Sequence, residues 1–81
     1  MDDAEILTRI HTIVEAQHEL RQQQQQEPGD HPDVPAQLRR LEESLDQCWD
    51  LLRQRRAHED FDQNPDEAEA RPVQQVEGYL Q

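Results

Sequence analysis

Eighty-one residues leave room for one small domain, and 32% hydrophobic against 33% charged residues leave it a thin core. Nineteen acidic residues against eight arginines and no lysine set the formal charge at −11, a field that opposes wrapping nucleic acid or lying on an anionic membrane. A lone cysteine, Cys48, makes no internal disulfide, two glycines build no phosphate cradle, and no run approaches the ~20 apolar residues of a membrane span.

Asp2 and Glu5 stand three apart, the spacing of a helix cap with an acid near the positive helix end. Behind them Ile6, Ile10, Ile13, Gln17 and Leu20 recur at alternating gaps of four and three, with Leu7 and Val14 widening the stripe. This predicts a helix over about 3–26 with Ile6, Ile13 and Leu20 at heptad position d and Ile10 and Gln17 at a. The run Gln22 to Gln26 continues it until Pro28-Gly29, and the stretch over 27–34, rich in proline and aspartate, forms the connecting loop.

A second helix is expected over about 34–58, with Pro35 in its first turn and Leu38, Leu41, Leu45, Cys48 and Leu52 as its seam. Arg53, Arg55 and Arg56 gather near its end, where cations suit the helix dipole. Residues 59–81 form an acidic linker and a C-terminal docking segment. In it Asn64-Pro65-Asp66-Glu67 reads as a helix start, and Val73, Val76, Tyr79 and Leu80 as the apolar edge of a last short helix. The fold class is therefore all-α, an antiparallel, coiled-coil-like helical hairpin with a short helical or extended tail.

Each apolar stripe is about three positions wide per heptad, more than a two-helix contact covers. The excess predicts a homodimer that forms a four-helix bundle, with a tail folded back on its own hairpin as the competing way to close the core.

Catalytic chemistry finds little support, and no enzyme and no cofactor are expected. Cys48 falls on the seam, where a thiol acts as a small hydrophobe. Ser44 and Thr8 have no elbow or glycine-rich turn around them. His11, Glu15 and His18 share a helix face, and Glu15 to His18 has the Glu-x-x-His spacing of bundle di-iron sites. These residues fall at b and f, however, facing solvent, and the second helix offers no matching motif, so a metal-binding bundle is the remotest reading. Asp30 and Asp33 place two carboxylates at the hairpin tip, the outline of acidic-tipped coiled coils that probe the RNA polymerase secondary channel. Regulation of that enzyme is the alternative function.

The run Asp46-Gln47-Cys48-Trp49-Asp50-Leu51-Leu52-Arg53-Gln54-Arg55-Arg56-Ala57 resembles short actinobacterial proteins grouped as a domain of unknown function. So do the ending Arg71-Pro72-Val73 through Val76-Glu77-Gly78-Tyr79-Leu80-Gln81 and the start Asp2-Asp3-Ala4-Glu5-Ile6-Leu7. The resemblance spans nearly the whole chain and implies no activity. The glutamine run and the tip loop lie outside it. Within it, Trp49, Arg53, Arg55, Arg56, Val76, Tyr79 and Leu80 form the candidate interaction surface, arginines around an aromatic anchor. The expectation is a small cytoplasmic helical protein that acts by binding protein, itself or another.

Overall fold

The computed structural model describes residues 1–26, 29 and 33–80, the last three through their backbone alone. Helix α1 spans Asp3–Gln26. Its start is a reciprocal cap: the Glu5 amide donates to Oδ1 of Asp2 at 2.8 Å and the Asp2 amide to Oε1 of Glu5 at 3.4 Å, which satisfies two otherwise orphaned donors. Helix α2 spans Asp33–Asp60 and runs back along α1. The two are antiparallel, with Asp3 at the start of α1 bonded to Arg55 near the end of α2.

The core between them follows the expected seams. Ile6, Ile10 and Ile13 are buried against Cys48 and Leu52, with Leu41, Leu45 and Leu51 packed at the margin, and Gln17 is buried farther along α1. Side chains spaced three and four apart fall on one side of each helix, so two such ridges interlock along their length.

Helix α2 outlasts its expected end by two residues, and its closure explains why. The Gln63 amide donates to the His58 carbonyl at 2.6 Å and the Asp62 amide to that of Glu59 at 3.2 Å, while Asp62 takes a left-handed φ of 56°. This is a Schellman closure with aspartate where glycine is usual. Beyond it, the helix start expected at Asn64 is a single 3-10 turn, Pro65–Glu67, with the Asn64 side chain accepting from the Asp66 amide at 3.0 Å. The chain then turns extended at Ala68, and Pro72 favours the same for Arg71. A last helix, α3, spans Val73–Leu80 and opens with Pro72 accepting from the Gln75 and Val76 amides.

This tail packs along α2 on the side away from α1. Gln47 and Gln54 of α2 donate to the carbonyls of Arg71 and Glu69 at 3.1 and 2.7 Å, and Val76 is wholly buried. The molecule measures 52 × 25 × 15 Å. Its thinnest dimension is little more than one helix diameter, about 10–12 Å, so α1, α2 and α3 lie side by side in one layer.

Candidate functional site

In a single layer, the central helix has a third side that neither neighbour covers. On α2 the α1-facing ridge is Leu41, Leu45, Cys48 and Leu52, and the tail-facing ridge is Gln47, Asp50 and Gln54. At roughly 100° per residue, Glu42, Asp46, Trp49, Arg53 and Arg56 form a strip between them. Trp49 keeps 46% of its surface exposed. With Asp46, Leu52, Arg53 and Arg56 it lines a groove of about 480 Å³, and a second, more polar groove continues past Asp46 to Glu43, Glu42, Arg39 and Leu38.

Helix α1 extends the same face. Its Arg9 flank borders a small cleft with Ser44, Gln47, Cys48 and Leu51 on one side of the layer. Leu7 lies roughly 200° around the helix from Arg9, on the flank that carries Val14 and toward the side of Trp49. Leu7 and Val14 are 51% and 46% exposed. Apolar surface thus spreads over both helices on one broad side of the molecule.

Charge is graded along the strip. Glu42, Glu43 and Asp46 lie toward the start of α2, and the Asp46 carboxyl is pushed above the usual carboxylate range by burial first and then by Glu42 and Glu43. Arg53 and Arg56 lie toward the end, exposed, and among the described residues neither has an ion-pair partner. Arg39 holds Glu43 at 3.3 Å.

The residues grouped by sequence do not stay together. Trp49, Arg53 and Arg56 meet in the groove, but Arg55 and Val76 do not belong to this surface. Arg55 is buried, with its Nε donating to Asp3 at 2.5 Å and its Nη1 to Asp66 at 3.0 Å. These two bonds hold its guanidinium above the ordinary arginine pKa. Two residues along a helix is roughly 200°, so Arg53 and Arg55 face nearly opposite ways. Val76 is enclosed where α3 meets α2. The side chains of Tyr79 and Leu80 lie outside the described residues, as does Asp30, while Asp33 is exposed in the first turn of α2.

A second ion pair, between Arg71 of the tail and Asp50 of α2, has no mark in the sequence. Asp50 has no exposed surface, and Arg71 grips it with both arms of its fork: Nε donates to Oδ2 at 2.9 Å and Nη2 to Oδ1. Gln54 donates to the same Oδ2 at 2.9 Å. No local pattern joins residues 21 apart in the chain, so only the fold reveals the pair. The metal spacing on α1 resolves into surface contacts: His11 meets Glu15 at 3.0 Å and His18 meets Gln22 at 3.2 Å, all exposed. Among the described residues no group of three or more His, Cys, Asp or Glu is placed to hold a metal ion, and no helix is long and apolar enough to cross a membrane.

Residues 2–81 match the family described as protein of unknown function (DUF2630). The chain belongs to that family. An uncharacterised protein of Mycobacterium bovis and two of Mycobacterium tuberculosis are each 47% identical to this DUF2630 chain over 77 residues, covering 95% of it and 88% of the relative. These relatives agree with the actinobacterial family that the sequence resembles, and no solved structure matches the chain.

Proposed function

We propose that this DUF2630 chain is a protein-docking module, performing no chemistry of its own and binding a protein through the broad face centred on Trp49. The observation that carries this is a half-exposed tryptophan in a groove whose two arginines have no ion-pair partner among the described residues. Tryptophan and arginine are the residues most enriched where binding energy concentrates. A one-layer helical fold also leaves this face open where stable domains stack a second layer.

In-cell photo-crosslinking tests the reading. A photoreactive benzoylphenylalanine replacing Val14, on the docking face, is expected to give a protein adduct, and one replacing Thr12, which points away from it, is expected to give none. Trp49→Ala should abolish the Val14 adduct while helicity and melting temperature hold within about 4 °C, equivalent to about 1 kcal/mol or less. No adduct at Val14, or a fold that collapses without the indole, would assign Trp49 to internal structure and end the proposal.

A further inference from the structure

The docking face carries a charge order that is complementary to itself. Asp46 and Arg53 stand three and four residues either side of Trp49, and Glu42 and Arg56 stand seven on each side. Seven residues span about 10.5 Å of helix. When α2 is laid antiparallel on a copy of itself with the two Trp49 residues at the centre, Glu42 and Asp46 each meet an arginine, while Asp60 at the end of the strip lies against the partner's Leu38. Asp46 falls against the partner's Arg53, and Glu42 against the partner's Arg56. A randomly charged face turned about a two-fold axis sets like charges opposite each other as often as unlike ones, and here both pairs are unlike.

We infer that this face pairs with a second copy of the chain, antiparallel about a two-fold axis beside Trp49, to make a four-helix bundle. The inference rests on the docking reading above and names the partner. It stands on four observations. First, the molecule is 15 Å thin, so stacking two copies supplies the second layer that helical domains use to close a core. Second, three of the five large apolar side chains left in water, Leu7, Val14 and Trp49, lie on the side that such stacking would cover, while Met1 and Phe61 lie toward the ends of the hairpin helices. Third, the strip is nearly balanced: Glu42, Glu43, Asp46 and Asp60 stand beside Arg39, Arg53 and Arg56 within a chain of formal charge −11. Two copies can therefore approach on this face without the repulsion that their net charge imposes elsewhere. Fourth, the crowding of Asp46 by Glu42 and Glu43 is relieved by the cations this arrangement brings.

The strip is also large enough. From Leu38 to Asp60 it runs about 33 Å, and two helices are about 20 Å across, some 660 Å² in projection. A standard interface uses about 800 Å² of accessible surface per partner, which a corrugated strip of that projection supplies. An isologous contact of this kind closes on itself and stops at two copies.

Light scattering on full-length chains at about 100 μM, with charge reversals, decides the matter. The wild-type chain is expected at about twice its 9.6 kDa mass. Glu42→Arg with Asp46→Arg places arginine at both ends of the strip, and Arg53→Glu with Arg56→Glu places acid at both. Each pair should weaken association roughly tenfold or more. An equimolar mixture of the two variants should regain the doubled mass, as should one chain carrying all four reversals. Wild-type chains of single mass at this concentration would overturn the inference, and so would reversal variants that pair as wild type does, or a mixture that fails to pair. Trp49 is the chain's one tryptophan, so its emission maximum should move to shorter wavelength as wild-type concentration rises. An emission maximum that stays fixed refutes the pairing even if a reversal variant fails to fold. Single-mass wild type together with a Val14 crosslink to a different protein would remove the self-pairing and leave the docking reading in place.

Discussion

Replacing Arg71 with methionine should release the C-terminal tail from the hairpin and cost most of what holds it there. Asp50 has no exposed surface, and the Arg71 fork is its cationic partner. Removing one member of a buried pair strands the other charge out of water, at a cost of about 3–5 kcal/mol. Arg71 keeps 33% of its side chain exposed, so solvent reaches one side of the pair and the lower bound applies, about 3 kcal/mol. At 4–8 °C per kcal/mol for a domain of this size, the melting temperature falls by roughly 12–24 °C. The chain can limit that loss by letting the tail swing away so that water reaches Asp50. Hydrogen exchange should therefore quicken over residues 73–77 while the amides of Ile10 and Leu45 stay protected. A companion variant, Asp50→Leu with Arg71→Met, replaces the pair by apolar groups of similar bulk and should recover most of the loss. If Arg71→Met costs under about 1 kcal/mol, or the double change costs the sum of the single ones, the pair is not the tail's anchor.

Arg55→Leu should speed amide exchange at residues 3–6 and 65–68 together, because one guanidinium holds both Asp3 and Asp66; exchange that quickens at only one of the two would refute the bridge. Asp62→Gly should raise the melting temperature by about 4–8 °C, the equivalent of about 1 kcal/mol, by relieving a left-handed backbone that L-residues enter at a cost, and calorimetry reads it directly. Cys48 is buried, and that burial raises its thiol pKa, with Arg9 opposing. Above roughly pH 8.5 the unfolded chain therefore gives up the thiol proton while the folded chain keeps it. Stability should fall with rising pH in that window, and Cys48→Ala should flatten the slope in urea titrations at pH 8 to 10.

What the sequence disclosed and what it withheld divide along the range of the interactions. The two long helices were legible because Ile6, Ile10 and Ile13, and Leu45, Cys48 and Leu52, repeat at the helical period, and a repeated period is a local property. The Asp2 and Glu5 cap was legible for the same reason. The end of α2 was not, because the residue that turns the chain there is Asp62, and an aspartate announces a left-handed turn far less clearly than glycine does. The expected helix at Asn64 stopped after one 3-10 turn because Gln54 and Gln47 draw the Glu69 and Arg71 carbonyls onto α2, a tertiary demand that overrides a good cap. Asp50 and Arg71 carried no signal at all, since their pairing exists only once the tail lies along α2.

The arginines of α2 show how function follows from the same division. In the sequence, Arg53, Arg55 and Arg56 read as a single basic spot near a helix end. On the helix they separate, because a step of two residues is more than half a turn. Arg55 is turned inward, where Asp3 and Asp66 tie the beginning of the chain, the end of α2 and the tail to one guanidinium. Arg53 and Arg56 are turned outward beside Trp49, and the acids that complement them, Glu42 and Asp46, lie too far back along the rigid helix for Arg56 to reach Glu42 within one chain: fourteen residues, about 21 Å. A straight helix cannot bring its own two ends together, but a second helix laid against it in the opposite sense can. The inward arginine therefore builds the monomer, while the outward pair, which makes no ion pair among the described residues, supplies the cations of the pairing proposed above. The charge-reversal mixture separates these roles, because reversing the outward pair should leave the melting of a single chain unchanged and alter only what it binds.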